Sequence, residues 1–137
     1  MISRKSALKL NVVVLCLASV MDIIRGIAHT FRVRFAATEL AGIEPISDSL
    51  VLMCAFGMSN FLTGFIYFLI AWKSKDLAPY ILVLISTAYF IGSLGMKFQD
   101  VELESKFTGQ HILPVYFLIC VITAILYFVS KKRTAED

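Results

Sequence analysis

The chain is poor in charge, cysteine, proline and histidine. Only 17% of its 137 residues are charged, against roughly 25% in an ordinary soluble domain. With 58% apolar residues and a mean hydropathy of +0.80, this shortfall excludes a disordered chain and a coiled coil, and it argues against a water-soluble domain. The three cysteines, Cys16, Cys54 and Cys120, lie in separate apolar segments with no C-x-x-C spacing. A disulfide-stapled secreted mini-protein is thereby excluded and dithiol exchange is unsupported, so buried inert thiols are expected. The two histidines, His29 and His111, belong to no H-E-x-x-H, and neither G-x-S-x-G nor a P-loop occurs; the sequence carries none of these catalytic or phosphate-binding signatures.

What the chain does have is long uncharged runs. Crossing about 30 Å of hydrocarbon takes about 20 helical residues. Three runs qualify: between Asp48 and Lys73, between Asp76 and Lys97, and from Ile112 to Val129. A fourth, from Leu10 to Met21, is interrupted by Asp22 and resumes through Ile23, Ile24 and Ile27 to His29. Taken alone, Arg4, Lys5 and Lys9 followed by this core and by Cys16-Leu17-Ala18 also suit a signal peptide. The favoured reading is an all-α membrane protein, an up-down bundle of four transmembrane helices at about 8–30, 48–72, 77–97 and 112–130, in one domain over 1–137. The short link from Lys73 to Asp76 makes the second and third helices antiparallel neighbours. Pro79 and Pro114 suit first helical turns and Asp48 an N-cap.

Orientation follows from the basic residues near the span ends. One side carries Arg4, Lys5, Lys9, Lys73, Lys75, Lys131, Lys132 and Arg133; the other carries Arg32, Arg34, Lys97 and Lys106 among six carboxylates. The first side is expected in the cytoplasm, which places both termini there and the protein in the plasma or inner membrane. The net charge of +3 reflects this topology, and no nucleic-acid partner is expected.

On the outer side, Phe31-Arg32-Val33-Arg34-Phe35 alternates apolar with basic and Val101-Glu102-Leu103-Glu104 alternates apolar with acidic. Alternation is the half-buried strand pattern, and opposite charges favour cross-strand pairing. A small two-stranded β-ribbon lid is the expectation, with amphipathic extensions lying in the interface as the alternative.

Charged groups inside a bilayer are costly, about 2.5–3.5 kcal/mol at a helix centre, so they are the first place to look for function. Asp22, Arg25 and His29 recur at three- and four-residue spacing on one face of the first helix. That face extends back through Ala18 to Asn11, flanked by Ser19 and Gly26. The stripe must turn inward; the Asp22–Arg25 pair, with His29, then either ties the first helix to the outer loops or lines a site. The second helix has Gly57, Asn60 and Gly64 on one face, and the third has Ser86, Thr87, Tyr89, Gly92, Ser93 and Gly95. Packing of the second helix against the third through these small-residue faces is expected. Asp22, Arg25, His29, Asn60 and Tyr89 are the candidate ligand-binding residues, in a polar pocket opening outward. No catalytic residue, metal or cofactor is assigned; His29 and His111 with Glu102 or Glu104 are a weak donor set for haem or a metal.

Arg25-Gly26-Ile27-Ala28-His29, Gly42-Ile43 and Gly57-Met58-Ser59-Asn60-Phe61-Leu62-Thr63-Gly64 resemble the small BphX-like membrane proteins and, more loosely, the DoxX-like group. The resemblance implies a four-helix integral membrane protein and transfers no activity, cofactor or site residue. The functional expectation is a non-catalytic accessory or scaffold component of a membrane complex, with a membrane-protein partner or a second copy. The alternative is a binding or transport module for a small amphipathic ligand, such as a lipid or quinone.

Overall fold

The computed structural model describes residues 3–99 and 109–136. These form an all-helical protein with four helices long and apolar enough to cross a membrane. Helix α1 spans Arg4–Phe31. It starts where the Ser3 hydroxyl accepts from the Ser6 N–H at 3.2 Å, satisfying one of the donors that every helix start leaves free. This cap adds a turn of basic, exposed residues ahead of the apolar run, so α1 begins earlier than the hydropathy alone suggests.

The expected strand at Phe31–Phe35 is helical. Helix α2, Val33–Phe35, and a π-helical turn, Ala36–Ala41, follow α1 almost without a break. Ala36 N–H donates to Arg32 carbonyl at 2.9 Å and Ile43 N–H to Ala37 carbonyl at 2.8 Å. The physical reason is local. A chain leaving a helix near the membrane surface pairs its backbone groups most cheaply within itself, and five alternating residues are too few to outweigh that. Gly42, at φ 63°, ends the run in the left-handed conformation that suits glycine. The other proposed strand, Val101–Glu104, lies outside the described residues.

Helix α3 spans Ser47–Lys73 and α4 Ala78–Phe98, joined by a 3-10 turn at Lys75–Leu77. The N-cap of α3 is Ile46, and Asp48 stands in the first turn rather than at the cap. Pro79 sits in the first turn of α4, as expected. Helix α5, Gly109–Glu136, starts earlier than expected, so Pro114 lies inside it.

The core collects around Leu15, Leu82 and Cys120, from α1, α4 and α5, together with Ala71 and Ala78 beside the tight α3–α4 link. Helix α1 is the hub: it packs on α3, α4 and α5, and α4 packs on α5. Helix α3 makes its face with α1 and no comparable one with α4. The expected packing of the second span against the third is therefore corrected: the glycine face of α3 meets the first helix. The short link sets the direction of α4 without bringing the two helix faces together. From Thr87 onward every residue of α4 is exposed, and a Cβ at Gly92 or Gly95 would meet nothing within 4 Å among the described residues.

Candidate functional site

Three glycine contacts define the α1–α3 seam and its antiparallel register. A Cβ on Gly26 would stand 2.9 Å from Cγ of Phe61, and one on Gly64 would stand 3.1 Å from the Ser19 carbonyl oxygen. A Cβ on Gly57 would collide with the Thr30 hydroxyl and lie 3.0 Å from the Thr30 nitrogen. Backbones this close need residues without side chains at the crossing, the usual solution for helices in lipid. The segments Arg25–His29 and Gly57–Gly64 are thus two halves of one interface.

The polar groups of the seam close on one another. The Ser19 hydroxyl donates to the Gly64 carbonyl at 2.7 Å. Thr63 Oγ1 donates to Asp22 Oδ2 at 2.7 Å, while Asp22 Oδ1 faces Arg25 Nη1 at 3.6 Å. Arg25 carries its guanidinium over the Phe56 ring, 5.2 Å from the centroid, and His29 meets the same ring edge-on at 5.3 Å. His29 Nδ1 lies 2.7 Å from the Arg25 carbonyl; a carbonyl can only accept, so the proton sits on Nδ1 and Nε2 is left with the lone pair in the neutral ring. Cation, ring and carboxylate form a ladder along α1 in which each charge has a partner on or across the seam.

Asp22, Arg25 and His29 are half-buried on α1 and Asn60 is buried on α3. Tyr89 is not in this seam. It is exposed on α4, with its ring 4.4 Å from that of Phe117 on α5. Tyr67, on α3, packs against the core that α1, α4 and α5 share. Thr63 and Tyr67 were not singled out as site residues from the sequence; the i,i+3 relation of Thr63 to Asn60 was the available signal. A second polar tie lies deeper in the bundle, where Asn11 Nδ2 donates to the Ala7 carbonyl at 2.9 Å and the Thr123 carbonyl at 2.8 Å, joining α1 to α5.

Three buried polar atoms have no hydrogen-bond partner among the described residues: Asn11 Oδ1, Thr30 Oγ1 and Asn60 Nδ2. Thr30 Oγ1 is held against Gly57 by the close crossing. Among the described residues no group of three His, Cys, Asp or Glu side chains gathers. Glu102, Glu104 and the His111 side chain lie outside the described residues. The cysteines are free, and Cys120 is buried.

No family model, curated protein or solved structure matches the chain.

Proposed function

We propose that the protein is a non-catalytic accessory or scaffold component of a membrane complex, working in the cell membrane with both termini in the cytoplasm. One observation carries this reading. The charged stripe of α1, the most expensive feature of the sequence, is consumed in clasping α3, while the small-residue face of α4 around Gly92 and Gly95 has nothing against it among the described residues. Polar groups serve cohesion, and the open helix face suits the transmembrane helix of another membrane protein. The basic residues gathered on the side of the tails and the α3–α4 link support the orientation. The likeness of the seam residues to BphX-like proteins agrees with a small four-helix protein of this kind.

The test places a photo-crosslinking residue at Ser93 and irradiates intact membranes. The expected product is heavier than the chain by a mass that is not a multiple of its own 15.3 kDa, and it vanishes in Gly92→Leu while the bundle stays folded. Monomer alone, in a correctly inserted protein, overturns the reading; a product of twice the mass replaces the partner by a second copy. A reporter fused after Asp137 checks orientation and is expected to stay in the cytoplasm.

A second reading is a binding module for a small amphipathic ligand at Asp22, Arg25, His29 and Asn60, without Tyr89, which stands apart on α4. The buried, unpaired Asn60 Nδ2 favours it, because a donor left without a partner costs about 1–3 kcal/mol unless something accepts from it. Lipid or quinone that co-purifies with the wild type and is lost in Asn60→Ala would support this reading.

A further inference from the structure

The geometry points to a site for one anionic phospholipid on the outer end of α3, away from both the seam and the open face of α4. A groove of about 460 Å³ runs from Arg34 and Ser47 down α3 past Leu50, Cys54 and Ala55 to Met58. Its lining is polar at the entrance only. Arg34 is exposed there and has no ion-pair partner among the described residues. The neighbouring Arg32 differs: its guanidinium sits over the Phe35 ring at 5.0 Å. Asp48 is next to Ser47 in sequence but does not line the groove.

Length decides the occupant. From Ser47 to Met58 the helix rises about 16 Å at 1.5 Å per residue, close to half of a hydrocarbon core of about 30 Å. A partner's transmembrane helix would need a face running the full thickness. A free anion would leave the apolar slot unused. A lipid matches both ends: its phosphate at the cation in the interface, and one acyl chain along Leu50, Cys54 and Met58 to the depth where its leaflet ends. An arginine at the membrane surface favours an anionic headgroup over a zwitterionic one by about fivefold, and its planar fork suits a phosphate.

The experiment is native mass spectrometry of the full chain in detergent with dioleoylphosphatidylglycerol or dioleoylphosphatidylcholine at equal concentration. One phosphatidylglycerol adduct is expected, about fivefold more occupied than the phosphatidylcholine adduct. Arg34→Gln should lower it to the phosphatidylcholine level, and Arg32→Gln should leave it unchanged. Ala55→Phe, which fills the slot, should reduce both adducts. Alkylation of Cys54 by N-ethylmaleimide, read by peptide mass, should slow with phosphatidylglycerol in the wild type and not in Arg34→Gln. Equal occupancy by the two lipids, an Arg34→Gln adduct as strong as the wild type, or an adduct indifferent to Ala55→Phe would each overturn the site. None of these readings involves Gly92 or Ser93, so the lipid site and the partner face stand or fall separately.

Discussion

Removing the charges of Asp22 and Arg25 singly and together measures what the α1–α3 clasp contributes. The side chains are 18% and 28% exposed and their closest approach is 3.6 Å, so each is mostly, but not fully, shielded from solvent. Breaking a fully buried pair costs about 3–5 kcal/mol, because it leaves one charge without compensation; at this partial exposure about 2 kcal/mol for either Asp22→Leu or Arg25→Leu is the expected loss. In the Asp22→Leu variant Thr63 keeps acceptors in the carbonyls of Ser59 at 3.2 Å and Asn60 at 3.1 Å, so its hydroxyl is not orphaned. In the double leucine variant no buried charge remains, and replacing a pair by apolar residues of similar size is often neutral. Independent effects would add to about 4 kcal/mol; the clasp predicts about 1 kcal/mol for the double variant, a coupling of about 3 kcal/mol. The assay is reversible unfolding in mixed micelles by added sodium dodecyl sulfate, followed by far-ultraviolet dichroism and by the fluorescence of Trp72, the one tryptophan of the chain. A double variant as unstable as the sum of the singles would refute the reasoning, since the two groups would then have separate roles.

The glycines should divide by their surroundings. Gly57→Ala and Gly64→Ala force α1 and α3 apart and should each cost about 1–3 kcal/mol in the same unfolding assay, whereas Gly92→Ala and Gly95→Ala meet no atom among the described residues and should stabilise by up to about 1 kcal/mol through helix propensity. Asn11→Ala removes two hydrogen bonds from a fully buried position and should lower stability by about 2 kcal/mol; full stability would mean that the α1–α5 tie contributes nothing. Maleimide should modify Cys16 and Cys54, both part-exposed, faster than buried Cys120 in the folded protein, and equal rates would contradict the core assignment.

Much of this architecture was legible because hydrocarbon imposes simple rules. Uncharged length gave three of the four spans and the resumption of apolar residues past Asp22 gave the first, and the cost of unsolvated charge turned Asp22, Arg25 and His29 inward. The identity of the neighbour was harder. Gly57, Asn60 and Gly64 announce a close helix crossing, but nothing in their spacing says with which helix. The choice of α1 rests on complementary detail, a hydroxyl opposite Asp22 and Phe61 over Gly26, that exists only once two chains of side chains are laid together. Tyr89 was placed by depth alone; depth says nothing about azimuth, and its ring faces α5. The strand expectation at Phe31–Phe35 failed because a period of two over five residues is a weak signal beside a helix already under way. Chain ends of helices drifted for a related reason: caps such as Ser3 extend a helix past the hydropathy edge.

The hub position of α1 has a consequence for how the protein enters its membrane. Neighbours in sequence are also neighbours in space within each half: α1 with α3, and α4 with α5. Each half is a hairpin whose backbone bonds are satisfied inside its own helices, so either can insert alone. The first hairpin carries its charges already matched through Asp22, Arg25 and Thr63, so it needs no group of the second to offset them. Between the two halves the described residues share mainly apolar surface and one side-chain hydrogen bond, from Asn11 to the Thr123 carbonyl, so bringing the second hairpin onto the first buries few polar groups.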